Sequence, residues 1–146
     1  YATIGPDKLN QLQHARFFKS SAGLRLHMKK HASILKPKFD AVYETLDREL
    51  GDSGIADWTK PTGGYFLSFN TMPGCASKVV KMCADCGVKF TPAGSTYPHG
   101  IDPEDRNIRL APSFATVEEI TKAITILSLC TKIVTIEKML KESDPA

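Results

Sequence analysis

The stretch NIRLAPS, residues 107–113, places an arginine inside a run that otherwise reads as a buried strand. Ile108 and Leu110 are apolar, whereas Arg109 keeps its charge and therefore needs a partner where it is buried. A guanidinium offers two parallel donors that match the two oxygens of a carboxylate. Residue types alone leave two explanations: Arg109 binds the carboxylate of a ligand, or it forms a structural ion pair with an internal acid such as Asp57, Asp102 or Asp105.

The four cysteines include a pair with the C-x-x-C spacing of redox and zinc sites, Cys83 and Cys86. A zinc site would need two more ligands, and none follows nearby. A thioredoxin-type pair lies at the start of a helix, where the helix dipole lowers the thiol pKa, whereas this pair lies at the end of a predicted helix. The favoured interpretation is that Cys83 and Cys86 lie reduced on the buried face of that helix, which agrees with a cytoplasmic protein.

Two of the four histidines, His27 and His31, have the i, i+4 spacing of a zinc-binding pair on one helix. The metalloprotease version needs a glutamate directly after the first histidine, where this chain has Met28, and no third ligand is apparent. A pair of surface or partly buried histidines is therefore favoured, and no metal is expected. His14 and His99 stand alone, as pocket residues or as polar surface residues, and the sequence assigns no role to any of the four.

Length and charge exclude several classes of protein. A chain of 146 residues has the length of one domain, and its net charge of +3 comes from basic and acidic residues mixed along the chain. No clustered basic face indicates nucleic-acid binding, and no apolar run reaches the roughly 20 residues that a membrane span needs. No signal peptide is visible. The chain opens without Met in what reads as the middle of an element, so we expect it to be part of a longer protein.

The first third of the chain is predicted to be helical. Pro6 and Asp7 mark a helix start, and residues 20–23 interrupt that helix. A longer helix follows, which Pro37 should kink or break near Lys36 and which Gly51 ends.

The remainder alternates strands and helices. Strands are predicted at residues 55–58, 65–69, 88–90 and 107–111, and a helix at residues 75–86. Residues 91–106 form a long loop, a kind that is often functional. Thr116 and Glu119 form a capping box that starts a last helix, which runs to about Leu140 before a frayed tail. These elements predict an α+β two-layer domain, with a small three- to four-stranded sheet covered by helices and preceded by a long kinked helix.

Several of these stretches together resemble one enzyme family. KPTGGYFLSF (60–69), CGVKFTPAGSTYP (86–98) and DRNIRLAPSFATVEEITKAITIL (105–127) are similar, in order and spacing, to the small C-terminal domain of fold-type I, class I/II aminotransferases, which use pyridoxal 5′-phosphate. IGPDKLNQLQHARFF (4–18) and HMKKHASILKPKFDAV (27–42) resemble a subgroup of bacterial aspartate aminotransferases. The resemblance covers about residues 4–140.

The resemblance implies roles for several residues. Arg109 occupies the position of the arginine that binds the substrate α-carboxylate. The loop of residues 91–98 would border the mouth of the active site, and its candidate mouth residues are Pro92, Gly94 and Tyr97. Tyr65 and Phe66 are expected in the core, or else in the wall of the pocket.

The same resemblance implies what the chain lacks. The lysine that forms the Schiff base, the acid that pairs with the pyridinium nitrogen and the phosphate-binding groups all lie upstream of the matched region, and Lys19 does not stand in the lysine motif. We therefore expect residues 1–23 to be a helical segment that leads to a large cofactor domain, and residues 24–146 to be the small domain. The fragment alone should not transaminate, and the parent is expected to be a homodimer acting on an amino acid, aspartate being favoured, and a 2-oxo acid.

Two rival functions stay open at this point. Aminotransferase-like effector domains also occur in transcriptional regulators, where they are joined to a DNA-binding domain and share these motifs. The other rival is a free-standing α+β binding module in which Arg109 makes a structural salt bridge. That module would be a stable monomer with no exposed apolar face.

Overall fold

The computed structural model describes residue 5 and residues 7–143. This part contains four α-helices and three strands, which confirms the α+β prediction. The helices are α1 (Lys8–Phe18), α2 (Ser21–Leu50), α3 (Ala76–Asp85) and α4 (Val117–Ser143), and the strands are β1 (Ala56–Trp58), β2 (Leu67–Thr71) and β3 (Asn107–Leu110). Residues up to Lys36 and residues from Pro37 onward form two compact units. Nowhere in the described ranges does a helix have the length and apolar character that crossing a membrane requires.

The two N-terminal helices are separated at Lys19 and Ser20, so the predicted interruption at residues 20–23 is correct only at its start, because Ser21 already begins α2. Asp7 caps α1 by accepting a hydrogen bond from the Asn10 N–H (3.1 Å), while Pro6 lies outside the described residues. Lys19 ends α1 with a positive φ of 59°. The hydroxyl oxygen of Ser20 then accepts the Gly23 N–H (3.2 Å) at the start of α2. Short polar side chains therefore accept free backbone N–H groups at the start of both helices.

Helix α2 continues through Pro37, so the predicted alternative of a break near Lys36 is wrong. Proline removes one backbone donor and leaves the carbonyl of Ser33 without its usual partner. Ser33 and Pro37 are both exposed, so water can take the place of that donor. The other alternative, a kink at Pro37, stays a prediction. The helix ends at Leu50, directly before Gly51 as predicted.

The strands form one antiparallel sheet in the order β1-β2-β3. Strand β2 begins at Leu67 rather than at the predicted Tyr65. The predicted strand at residues 88–90 is wrong, because the Val88 N–H donates to the Cys83 carbonyl (2.9 Å) and closes the C-terminus of α3 instead of joining a sheet. Gly87 has a φ of 84° there, as helix C-termini of this type require.

The two faces of the sheet differ sharply in character. Leu67 and Phe69 of β2 and Ile108 and Leu110 of β3 are at most 2% exposed and form the core with α2, α3 and α4. The opposite face carries polar side chains. Those of β2 and β3 are Ser68, Asn70, Asn107 and Arg109, and Asp57 of β1 is hydrogen-bonded to Asn70. Because side chains alternate along a strand, the residues between the core positions necessarily project to this polar face.

Helix α4 begins with the predicted capping box. The Thr116 hydroxyl oxygen accepts the Glu119 N–H (3.2 Å), and the Glu119 carboxylate accepts the Thr116 N–H (2.8 Å). The helix extends through Ser143, so residues 141–143 are helical rather than frayed, and residues 144–146 lie outside the described part.

Three of the four cysteines, Cys75, Cys83 and Cys130, are buried and unbridged, in agreement with the sequence interpretation. Cys86 is exposed, which corrects its predicted place on the buried face. The reason is local: Cys86 is the C-cap of α3 and lies beyond the last turn of the helix. Burial raises the pKa of Cys83 and of Cys130, so both thiols stay protonated.

Candidate functional site

Arg109 lies near the end of the edge strand β3, on the polar face of the sheet. It is directly opposite Ser68 of β2, and the core residues Ile108 and Leu110 flank it along the chain. The buried neighbours fix the strand, and the strand fixes the Cα of Arg109. Its side chain is half-buried, and the guanidinium Nε is buried without a hydrogen-bond partner. Strand β3 therefore holds the guanidinium of Arg109 in a fixed place, and its Nε–H is a hydrogen-bond donor without a partner.

The three acids that could neutralise Arg109 are all engaged elsewhere. Asp57 accepts from Arg106 Nη2 (2.9 Å) and from the Asn70 amide (2.8 Å). Asp105 accepts from the backbone N–H and the hydroxyl of Ser77 (3.0 and 2.6 Å). Within residues 7–143, no ion pair joins an acidic side chain to Arg109. Among the described residues, none of the three acids considered from the sequence is therefore the ion-pair partner of Arg109.

The third acid, Asp102, organises the loop that leads into β3. Its carboxylate accepts the backbone N–H groups of Glu104 (3.0 Å), Arg106 (2.8 Å) and Asn107 (2.8 Å). Desolvation alone would raise the pKa of Asp102, but these three donors and the charge of Arg106 outweigh it and hold the pKa below its usual value. Asp102 therefore acts as a fixed anion that sets where β3 begins, two residues before Arg109.

Phe66 stacks on Arg109, with its ring centroid 4.7 Å from the guanidinium carbon. It precedes β2 by one residue and lies diagonally across from Arg109, at the distance over which aromatic side chains reach a neighbouring strand. Phe66 is 51% exposed and Tyr65 is 53% exposed, so the expectation that both lie in the core is wrong. The alternation of β2 places Leu67 and Phe69 on the core face and Phe66 on the other, while Tyr65 lies in the bend before the strand begins.

Asn107 connects Arg109's face of the sheet to the long loop. Its amide donates to the Ser68 hydroxyl (2.6 Å) and to the Asn70 side-chain oxygen (2.8 Å), while its own side-chain oxygen accepts the Thr96 hydroxyl (2.6 Å). The residue is only 6% exposed, so these contacts form a satisfied network under the loop. Sequence reasoning missed Asn107, although its place two residues before Arg109 on a strand puts both on one face.

The predicted mouth residues have different positions. The Gly94 N–H donates to the Asn107 carbonyl (3.2 Å), which anchors the loop to β3. Gly94 has a φ of 77°, and a Cβ there would lie 2.6 Å from the Gly100 carbonyl oxygen, so the close approach requires glycine. Pro92 and Tyr97 are exposed on the same loop. Their part in an active-site mouth stays a prediction.

A shallow cleft of ≈ 200 Å³ borders Arg109. Its walls come from residues 88–91 after α3, from residues 109–112, from the start of α4 and from Val42 of α2. Of the residues of the predicted mouth loop only Thr91 lines it; Pro92, Gly94 and Tyr97 do not. Lys38 donates to the carbonyl of Ser113 (2.8 Å) and thereby holds the segment that follows Arg109.

Comparisons with known proteins agree on one family. Residues 1–143 match the family described as aspartate amino-transferase. An aspartate aminotransferase of Corynebacterium glutamicum is 49% identical over 127 residues, which are 87% of this chain and 29% of that protein. The crystal structure of an aspartate transaminase from Corynebacterium glutamicum has a TM-score of 0.88 at 47% identity and covers 92% of this chain and 32% of that one.

Two more distant matches are informative. The α-aminoadipate aminotransferase of Thermus thermophilus, solved with N-(5′-phosphopyridoxyl)-L-leucine, shares the fold at a TM-score of 0.68 and 22% identity, over 88% of this chain and 32% of that one. An uncharacterized HTH-type transcriptional regulator of Bacillus subtilis is 27% identical over 128 residues, which are 88% of this chain and 25% of that protein. The chain thus spans about a third or less of the length of these relatives. The match of residues 1–143 shows that the chain belongs to the aspartate aminotransferase family.

Proposed function

We propose that residues 24–146 are the small domain of a pyridoxal-phosphate-dependent aminotransferase, in which Arg109 binds the substrate α-carboxylate. The observation that carries this proposal is the unpaired guanidinium on β3, with a buried Nε that has no acceptor. A buried donor without a partner costs free energy, and a carboxylate in two parallel hydrogen bonds would remove that cost.

The surroundings of Arg109 suit this role. The buried strand positions prevent the Cα from moving, and Phe66 covers one face of the planar guanidinium, so the fork keeps one orientation. A carboxylate held at two points fixes the substrate Cα and the direction of its Cα–H bond. The amino acid and the 2-oxo acid product both carry this carboxylate, so one arginine serves both halves of an amino-group exchange.

The residues of this chain fit the substrate side of such a site. Pyridoxal phosphate, when bound, supplies the electron sink for cleavage of the Cα–H bond. We assign the groups that hold it, the reactive lysine included, to sequence outside this chain. The similarity to aspartate aminotransferases supports aspartate and 2-oxoglutarate as substrates, and the parent is proposed to be a homodimer.

The test is Arg109→Ala in the full-length protein. Removing a charged, two-point contact should raise KM for the amino acid about ten- to a hundredfold, since hydrogen bonds to charged groups contribute about 1.5 to 3 kcal/mol. Cofactor absorbance should be unchanged. Steady-state transamination assays with aspartate, together with absorbance spectra of the purified enzyme, measure both quantities.

Arg106→Ala is the matched control. Arg106 lies three residues earlier but is paired with Asp57 (2.9 Å) and Glu104 (3.4 Å), so its loss should leave KM unchanged. An Arg109→Ala enzyme with wild-type KM would remove Arg109 from the substrate site. Equal effects of both substitutions would show that the change acts through stability.

The similarity to the Bacillus subtilis regulator favours one alternative, an aminotransferase-like effector domain joined to a DNA-binding domain. The two functions differ in a direct measurement on the full-length protein. Transaminase turnover with aspartate supports the enzyme. Specific binding to a DNA fragment from its own upstream region, without turnover, would support the regulator.

A further inference from the structure

His27 and His31 of α2 direct their imidazole Nε2 atoms toward each other, and the two atoms are 3.0 Å apart. The ring centroids are 4.6 Å apart. Residues four apart lie one turn above each other on the same face of a helix, which brings these side chains together. The convergence of the two Nε2 atoms exceeds what the spacing alone predicts, because either ring could have turned away.

The separation of 3.0 Å between the two Nε2 atoms suits two arrangements of the pair: a hydrogen bond between the rings, or a metal ion bound by both. Without a metal, one neutral ring donates its Nε2–H to the lone pair of the other. A metal ion bound by both rings would lie beside the line that joins the two nitrogens, because bonds of 2.0–2.1 Å do not fit between atoms 3.0 Å apart, so both rings must turn until their lone pairs point at the ion. Two nitrogens bonded to one ion at 2.0–2.1 Å lie about 2.9 to 3.4 Å apart for bond angles between 90° and tetrahedral. The observed separation falls in this range, so the two nitrogens are close enough to share one ion once the rings have turned.

Aromatic neighbours hold one of the two ligands in place. The rings of Phe17 and Phe18 pack edge-on against His27, with centroid distances of 5.4 and 5.3 Å. His27 is half-buried, whereas His31 is exposed. His27 is therefore held by its aromatic neighbours, whereas His31 is open to solvent. An ion and its remaining water ligands can approach the pair from the side of His31.

We propose that His27 and His31 bind a divalent transition-metal ion, such as Zn²⁺, through their Nε2 atoms. Zinc, copper and nickel bind well to imidazole nitrogen, whereas calcium and magnesium prefer oxygen ligands. Among the described residues, no cluster of three or more His, Cys, Asp or Glu side chains is arranged to hold a metal. The ion therefore has two protein ligands and completes its coordination with water.

The experiment is a ZnCl₂ titration of the full-length protein, followed by isothermal calorimetry and by competition with a chromophoric zinc indicator. His27→Ala and His31→Ala should each weaken zinc binding at least about tenfold, since even the loss of an outer-shell partner costs 10- to 100-fold. His99→Ala, in the loop before β3, is the control that should bind zinc as the wild type does. His31→Gln repeats the test with a side chain of similar length, and far-UV circular dichroism confirms that the variants fold.

Two results would overturn the proposal. Absence of zinc binding to the wild-type protein at millimolar ZnCl₂ is one. Unchanged affinity in the His27→Ala/His31→Ala double variant is the other, since the zinc would then be bound elsewhere, for example at the exposed thiol of Cys86. Neither result depends on transaminase activity, so this test and that of Arg109 are independent.

Discussion

Arg109 and Phe66 form a pair in which the ring presents its negative face to a cation that is otherwise free for a ligand. Stacking of this kind contributes about 0.5 to 1 kcal/mol at an exposed site. In the proposed enzyme, Phe66→Ala should therefore raise KM for the amino acid about two- to fivefold, because the guanidinium keeps its charge but loses its fixed orientation. Steady-state kinetics with aspartate measure the change.

Tyr65→Ala is the control for that prediction. Tyr65 is the neighbouring residue and is equally exposed, yet it makes no ring contact with Arg109. The amino-acid KM should therefore not respond to this substitution. If both substitutions change KM equally, the effect belongs to the segment before β2 and not to the stacking.

The sequence predicted the importance of Arg109 but could not choose between its two explanations. A charge among apolar strand residues is visible in the sequence. The positions of Asp57, Asp102 and Asp105 are not, because each depends on how a loop folds back onto β2, α3 or β3. Phe66 was misplaced for a different reason: a run of apolar residues was assigned wholly to the core, although a strand can bury only every second side chain on one face.

At the scale of elements, the start of β3 depends on Asp102 and the three N–H groups it accepts. Asp102→Asn replaces one acceptor oxygen with a donor that faces N–H groups. It should lower the free energy of unfolding by about 1 kcal/mol near neutral pH, a modest value because Asp102 is only half-buried. Urea denaturation measures the difference.

The pH dependence of this effect follows from the lowered pKa. The carboxylate contributes its stability above the unfolded-state pKa, which is about 3.8, and loses it as pH falls through the still lower folded-state pKa. The gap between wild type and Asp102→Asn should thus be constant from about pH 5 to 7 and shrink below about pH 3.8. Asp52→Asn, in an exposed turn, is the control. A gap that persists undiminished in acid would contradict the role of the charge.

Helix ends that depend on residues close in the sequence were predicted well, whereas features that depend on contacts between distant parts of the chain were not. The helix start marked by Asp7 and the capping box at Thr116 depend on residues within one turn, so their sequence signals sufficed. Residues 88–90 have strand-like composition, but the end of α3 takes the Val88 N–H, and no pattern of apolar residues reveals that competition. Whether α2 breaks at Pro37 likewise depends on solvent access to a carbonyl rather than on the proline itself.

The molecule as a whole carries an apolar stripe along α4 that the core does not use. Leu129, Ile133, Ile136 and Leu140 recur at helical spacing and are 46–65% exposed, while Leu127, Cys130 and Val134 fill the core from the opposite side. A helix that is apolar on both sides is usually covered on both. The stripe disagrees with the free-standing binding module, which predicts no exposed apolar face, and agrees with a chain that is one part of a larger protein.

This stripe gives the last prediction, which concerns the chain of 146 residues on its own. The isolated chain should bind the dye ANS and self-associate, because contiguous exposed apolar surface favours both. Ile133→Lys/Ile136→Lys should reduce dye fluorescence and shift the chain toward monomer in analytical ultracentrifugation, with little change in the free energy of unfolding, since both side chains are about half exposed. Phe114→Lys is the control: Phe114 is 99% exposed but lies outside the stripe, in the loop before α4. A wild-type chain that is monomeric and does not bind the dye would support the free-standing module. If Phe114→Lys reduces self-association as much as the double substitution does, the associating surface is not the stripe on α4.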